Sequence, residues 1–84
     1  MFGRARHDSG YEELRRGMSR AQVVSLMGEP DFALTLGQIE SLSYEDGGKR
    51  SHAVYVVTLD QGKVVGRMRK TGSRTQFTRT ESGW

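Results

Sequence analysis

The sequence predicts an α+β domain: two short N-terminal helices packed on one face of a three-stranded antiparallel meander, with room for a further C-terminal edge strand. Three observations predict it. The stretch "RRGMSRAQVVSLMGEPD" (15–31) carries a helix-start signal, an apolar face and a helix stop within one short span. Three β-rich runs follow, separated by glycine-containing turns. Helices precede strands without alternating with them, which implies helices on one side of an antiparallel sheet rather than a parallel α/β fold.

The elements follow in chain order. Residues 1–8 read as a flexible arm without periodicity, in which His7 is expected to be solvated. Ser9 is the expected cap of a first helix, "GYEELRR", with Glu12 as its capping-box partner. Tyr11 and Leu14 share a face there, and Gly17 is expected to end the helix. Ser19 caps the second helix with Gln22 three places on, and Met18 before the cap can staple onto Val23. Val23, Leu26 and Met27 line one side, while Gly28 and Pro30 stop the helix. A helix of about two turns is unstable alone, so that side must dock.

Its dock is a sheet built from "LSYED" (42–46), "HAVYVVTLD" (52–60) and "KVVGRMRK" (63–70). In the middle run Ala53, Tyr55, Val57 and Leu59 face one way, and Val54, Val56 and Thr58 the other. The segment "DFALTLGQIE" (31–40) either begins the first strand or crosses from helix to sheet. Residues 9–70 thus form the domain, and the basic tail 71–84 is either a fourth strand or an arm.

Bulk properties narrow the function. Eighty-four residues make one domain, able to bury about 60–65% of the unfolded surface. Without cysteine there are no disulfides, thiolate metal sites or cysteine nucleophiles. His7 and His52 sit in an arm and beside a turn, and the pairs Glu12–Glu13 and Glu45–Asp46 are adjacent in sequence, so they point apart. "DGGK" (46–49) lacks the rest of a phosphate loop, and no metal or nucleotide motif occurs. The expectation is a non-enzyme with no cofactor.

The net charge is +3, and ten of the thirteen basic residues are arginine, which favours bidentate contacts with carboxylate or phosphate. Arg67, Arg69, Lys70 and Arg74 concentrate charge near the C-terminus, and Arg67 and Arg69 would project from one face of the last strand. That strip supports an alternative reading, binding of nucleic acid or anionic lipid headgroups. The plainer reading is a charged edge that resists aggregation, and nucleic acid is the less favoured partner.

"GMSRAQVVSLMGEPD" (17–31) resembles the signature of the SmpA/OmlA family, the BamE-like lipoproteins of the bacterial outer-membrane β-barrel assembly machine. Gly17, Met18, Ser19, Val23, Leu26, Gly28 and Pro30 carry the match, and Tyr44 and "YVVTLDQGKVVG" (55–66) fit the strands downstream. The resemblance, over roughly residues 10–70, implies the two-helix, three-strand fold and a non-catalytic scaffolding role toward another protein. Phe32, Leu34, Leu36 and Tyr44 are the expected partner-binding residues, and edge-to-edge homodimerisation is a further option. Signal peptide and lipobox are absent as written and "MFGRAR" reads as a translation start, so the expected location is cytoplasmic. The alternative is the periplasmic face of the outer membrane, after loss of an N-terminal segment.

Overall fold

The structure is a computed structural model. It describes residues 7–47, residues 52–72 and, for the backbone alone, residues 77–83. Two helices, α1 (Asp8–Glu13) and α2 (Arg20–Met27), precede five strands: β1 (Phe32–Leu36), β2 (Ile39–Gly47), β3 (His52–Asp60), β4 (Lys63–Gly72) and β5 (Phe77–Gly83). The strands form one antiparallel meander in the order β1-β2-β3-β4-β5.

The α+β class and the helix-then-strand order agree with the sequence reading; the strand count does not. Segment 31–40 takes the strand alternative: Ile39 and Glu40 begin the strand that carries 42–46, and Phe32–Leu36 forms a further strand ahead of it. The two strands make a hairpin, in which Gly37 (φ 62°) takes the first central place of a two-residue turn and returns the chain from Leu36 to Ile39. At the other end, the backbone of Phe77–Gly83 pairs with β4, so the tail takes the strand alternative there. The turn between β3 and β4 has positive φ at both Gln61 and Gly62, the backbone that matches strand twist in a tight hairpin. Gln61 and Gln38 join the two turns: the Gln61 N–H donates to the Gln38 carbonyl at 2.9 Å and their side-chain amides meet at 3.0 Å.

Helix α2 forms as its sequence dictates. Gln22 N–H donates to the Ser19 hydroxyl and Ser19 N–H donates to Gln22 Oε1, closing the capping box. Gly28 follows at φ +87°. Helix α1 departs from expectation, because Ser9 lies inside it and His7 precedes it without a side-chain cap bond. The cause is a long-range anchor. His7 N–H donates to Asp46 Oδ2 at 2.6 Å, and its Nδ1 lies 2.7 Å from Asp46 Oδ1. His7 is buried, not solvated, and its ring packs on Tyr44 and Tyr55. The folded unit therefore reaches back into the stretch read as an arm; residues 1–6 lie outside the described residues.

The first helix also ends before Gly17, at Glu13, with Leu14 already extended. Gly17 (φ +91°) has another task. Its N–H donates to the Val64 carbonyl, the Val64 N–H donates to the Met18 carbonyl, both at 2.8 Å, and Ser19 bridges Lys63. The Gly-Met-Ser segment thus occupies the side of β4 that β5, paired only from Arg67 onward, leaves open.

The core lies between the helices and one sheet face. Tyr11, Leu14, Val23 and Met27 from the helical layer meet Leu42, Tyr44, Tyr55, Val57, Leu59 and Val64 from the sheet. Each such side chain contributes about 1.5–3 kcal/mol by leaving water. The alternation read in β3 holds, with Ala53, Tyr55, Val57 and Leu59 buried and their neighbours half-buried.

Candidate functional site: the uncovered sheet face

Residues opposite one another in antiparallel strands share a face, so the register defines what the helices leave bare. One row crosses the sheet as Phe32, Ser43, Val56 and Met68; the next as Leu34, Ser41, Thr58 and Gly66. Leu36 and Ile39 extend this face at the β1–β2 turn. Phe32, Leu34 and Leu36 are 63%, 54% and 70% exposed, with Ile39 also exposed. Isolated surface leucines need no explanation, but a contiguous apolar patch does.

Three of the four residues expected to bind a partner meet on this surface. Tyr44 does not, because its position faces the helices, where it is fully buried and its hydroxyl donates to the Gly28 carbonyl at 2.8 Å. Burial pushes that hydroxyl up to about 12. It secures the exit of α2 to the sheet and belongs to the core. Ile39, Val56 and Met68 were missed as members of the patch. The available signal was the middle strand, apolar on both sides, in a chain whose helical content covers only one.

Among the described residues, Arg67, Arg69 and Lys70 do not share one exposed surface. Arg67 and Arg69 do share a face, but it is the helix-covered one. The β3–β4 register shifts after Thr58, leaving Val65 as an extra residue, so Arg67 stands opposite Val57 and Arg69 opposite Tyr55. Arg67 Nη1 donates to the Tyr11 carbonyl, and its guanidinium carbon lies 4.6 Å from the Tyr11 ring centroid. Arg69 Nη1 meets Asp8 Oδ1 at 3.2 Å and Glu12 Oε2 at 3.0 Å. Lys70 pairs with Val54 on the opposite face, and Arg74 lies outside the described residues. The guanidinium groups of Arg67 and Arg69 fasten α1.

Tyr55 joins that fastening, donating its hydroxyl to Asp8 Oδ1 at 2.7 Å. Burial, then the bond to Asp8, raises its ionisation above the ordinary tyrosine range. Among the described residues no group of three or more His, Asp or Glu is placed to hold a metal ion. No described helix is long and apolar enough to cross a membrane.

A small module whose described helices cover one sheet face and leave apolar residues exposed on the other defines a class: compact α+β domains with an exposed apolar sheet surface. The particular family is shown by comparison. The model of the outer membrane protein assembly factor BamE domain matches residues 3–69, and the chain belongs to that family. Neither the search of curated proteins nor that of solved structures returned a match. Membership corrects one expectation. A cytoplasmic location, inferred from how the sequence begins, conflicts with a family of outer-membrane assembly factors.

Proposed function

We propose that this chain is a non-catalytic docking module of outer-membrane protein assembly, acting at the periplasmic face of the outer membrane. It holds another protein of that machinery against its bare sheet face. The observation that carries this reading is the exposure of Phe32, Leu34 and Leu36 on the side that no described element covers. Leaving three such side chains in water forgoes several kcal/mol of burial that a partner would recover. Polar Ser41 and Ser43 on β2, beside Leu34 and Phe32, give the contact hydrogen-bonding sites.

The test is co-purification of the tagged chain with the outer-membrane assembly machinery of its own cell, for wild type and Phe32→Ser/Leu36→Ser. The variant should fold with an unchanged melting temperature and lose the co-purifying partner. Retention should be nearly insensitive to salt, as apolar contact demands, whereas phosphate or headgroup contact falls steeply with ionic strength. Undiminished co-purification by the double variant would reject the face as the docking surface.

A further inference from the structure

We propose that two copies of this chain associate by antiparallel pairing of β1 with β1 across a two-fold axis at Leu34, an inference that goes beyond the docking reading and does not depend on it. Strand β1 is an edge: it pairs with β2, and no described strand takes its other side. All five of its residues are exposed, including Ala33 and Thr35 on the helix side, so among the described residues no helix overhangs it. Edges of this kind are normally blunted by charge, proline or a bulge. "FALTL" has none of these within the strand.

A two-fold contact must be self-complementary, and β1 meets that demand residue by residue. An axis through Leu34 sets Phe32 against Leu36 of the second copy, Ala33 against Thr35 and Leu34 against itself. Every bulky residue meets a bulky one on the bare face, and every small residue meets a small one beneath. One step further out Asp31 meets Gly37, so no like charges oppose. An axis moved to Ala33 or Thr35 shortens the paired length and places Asp31 or Gln38 inside it.

The backbone agrees. In a two-residue hairpin the residues flanking the turn exchange both hydrogen bonds. Leu36 and Ile39 therefore bond one another, and by alternation Leu34 and Phe32 also direct their N–H and C=O groups to β2. Ala33 and Thr35 direct theirs to the open side. In the two-fold pairing these are the residues that stand opposite one another, closing two symmetric pairs of hydrogen bonds. Leu34 then faces its symmetry mate as a non-hydrogen-bonded pair with Cα atoms about 4.5 Å apart. The two sheets become one, and their bare apolar faces merge into a single surface.

The chain has no cysteine, which makes the axis directly testable in the purified protein. The Cα separation expected for Leu34 and its mate suits a disulfide. Leu34→Cys under mild oxidation should give nearly complete covalent dimer, while Ser41→Cys, on the same face one strand inward, should give little. Sedimentation equilibrium should show a doubling of mass with concentration for wild type. Leu34→Lys, which sets two ammonium groups together on the axis, should stay monomeric, with the melting temperature that wild type shows when diluted to monomer. A wild-type chain monomeric up to its solubility limit would overturn the proposal. So would a dimer that survives Leu34→Lys, or one that cross-links as well through Ser41→Cys.

Discussion

The guanidinium of Arg67 lies 4.6 Å from the centroid of the Tyr11 ring while its Nη1 donates to the carbonyl of the same residue. One side chain of β4 thus holds both the backbone and the ring of α1. A six-residue helix has too few internal hydrogen bonds to persist alone. Charge-assisted bonds of this type contribute about 1.5–3 kcal/mol, with a cation–π part of about 0.5–1. Arg67→Ala should therefore lower stability in urea by about 2 kcal/mol. A change confined to nucleic-acid or vesicle binding, with stability untouched, would contradict this structural role.

The helices touch at Gly10. A Cβ built there falls 2.6 Å from the Leu26 carbonyl oxygen and 3.0 Å from Met27 Cγ. The oxygen is backbone in the last turn of α2 and cannot step aside without moving that turn. Although alanine favours helix, Gly10→Ala should destabilise, by about 1–3 kcal/mol as overpacking does. Thermal unfolding decides it, and a rise in melting temperature would mean that the helices separate freely.

The His7–Asp46 contact should be among the larger single contributions outside the apolar core. Both groups are buried, and the carboxylate receives the His7 backbone N–H as well as facing the ring. A hydrogen bond to a charged group contributes about 1.5–3 kcal/mol. His7→Ala removes the ring but keeps the backbone donor, so a loss of about 2 kcal/mol is expected. Hydrogen exchange in α1 should accelerate with it. Unchanged exchange would show that the helix is held without this anchor.

Alkaline pH should unfold the chain earlier than its charge suggests. The Tyr44 hydroxyl is raised to about 12 by burial, and Tyr55 is raised by burial and by Asp8. A group whose folded value exceeds its unfolded one contributes stability that is complete below the unfolded value and is lost as pH climbs toward the folded one. Here the Tyr44 contribution is lost between pH 10 and about 12, and that of Tyr55 continues to be lost at higher pH. Urea midpoints should hold steady below that window and fall within it, and Tyr55→Phe should flatten the fall. A midpoint independent of pH across the window would show both hydroxyls ionising as easily folded as unfolded.

What could be read in the sequence was whatever local chemistry decides. Ser19, Gln22, Gly28 and Pro30 define a helix by themselves, and the capping box formed as read. The period-two alternation of 52–60 fixed both faces of β3. What escaped was decided by distant partners. His7 looked like a solvated residue because its anchor, Asp46, is 39 positions away. Strand β1 escaped because it buries neither face and so lacks the in–out contrast that marks a strand; Gly37 was its one usable signal. Tyr44 was set with Phe32, Leu34 and Leu36 as an apolar contact, and only the register of β2 separates them.

Val65 works as a parity bit. Strand faces alternate, so one extra residue reverses every assignment after it, from Gly66 to the end of β4. Were Val65 paired in regular register opposite Thr58, Met68 and Lys70 would turn inward beneath the helices, while Arg67 and Arg69 would stand out on the face that carries Phe32 and Leu34. The same composition would then make an open, cationic sheet with nothing to hold α1. Whether this chain shows its neighbours grease or charge is settled by an odd or even count along a single strand.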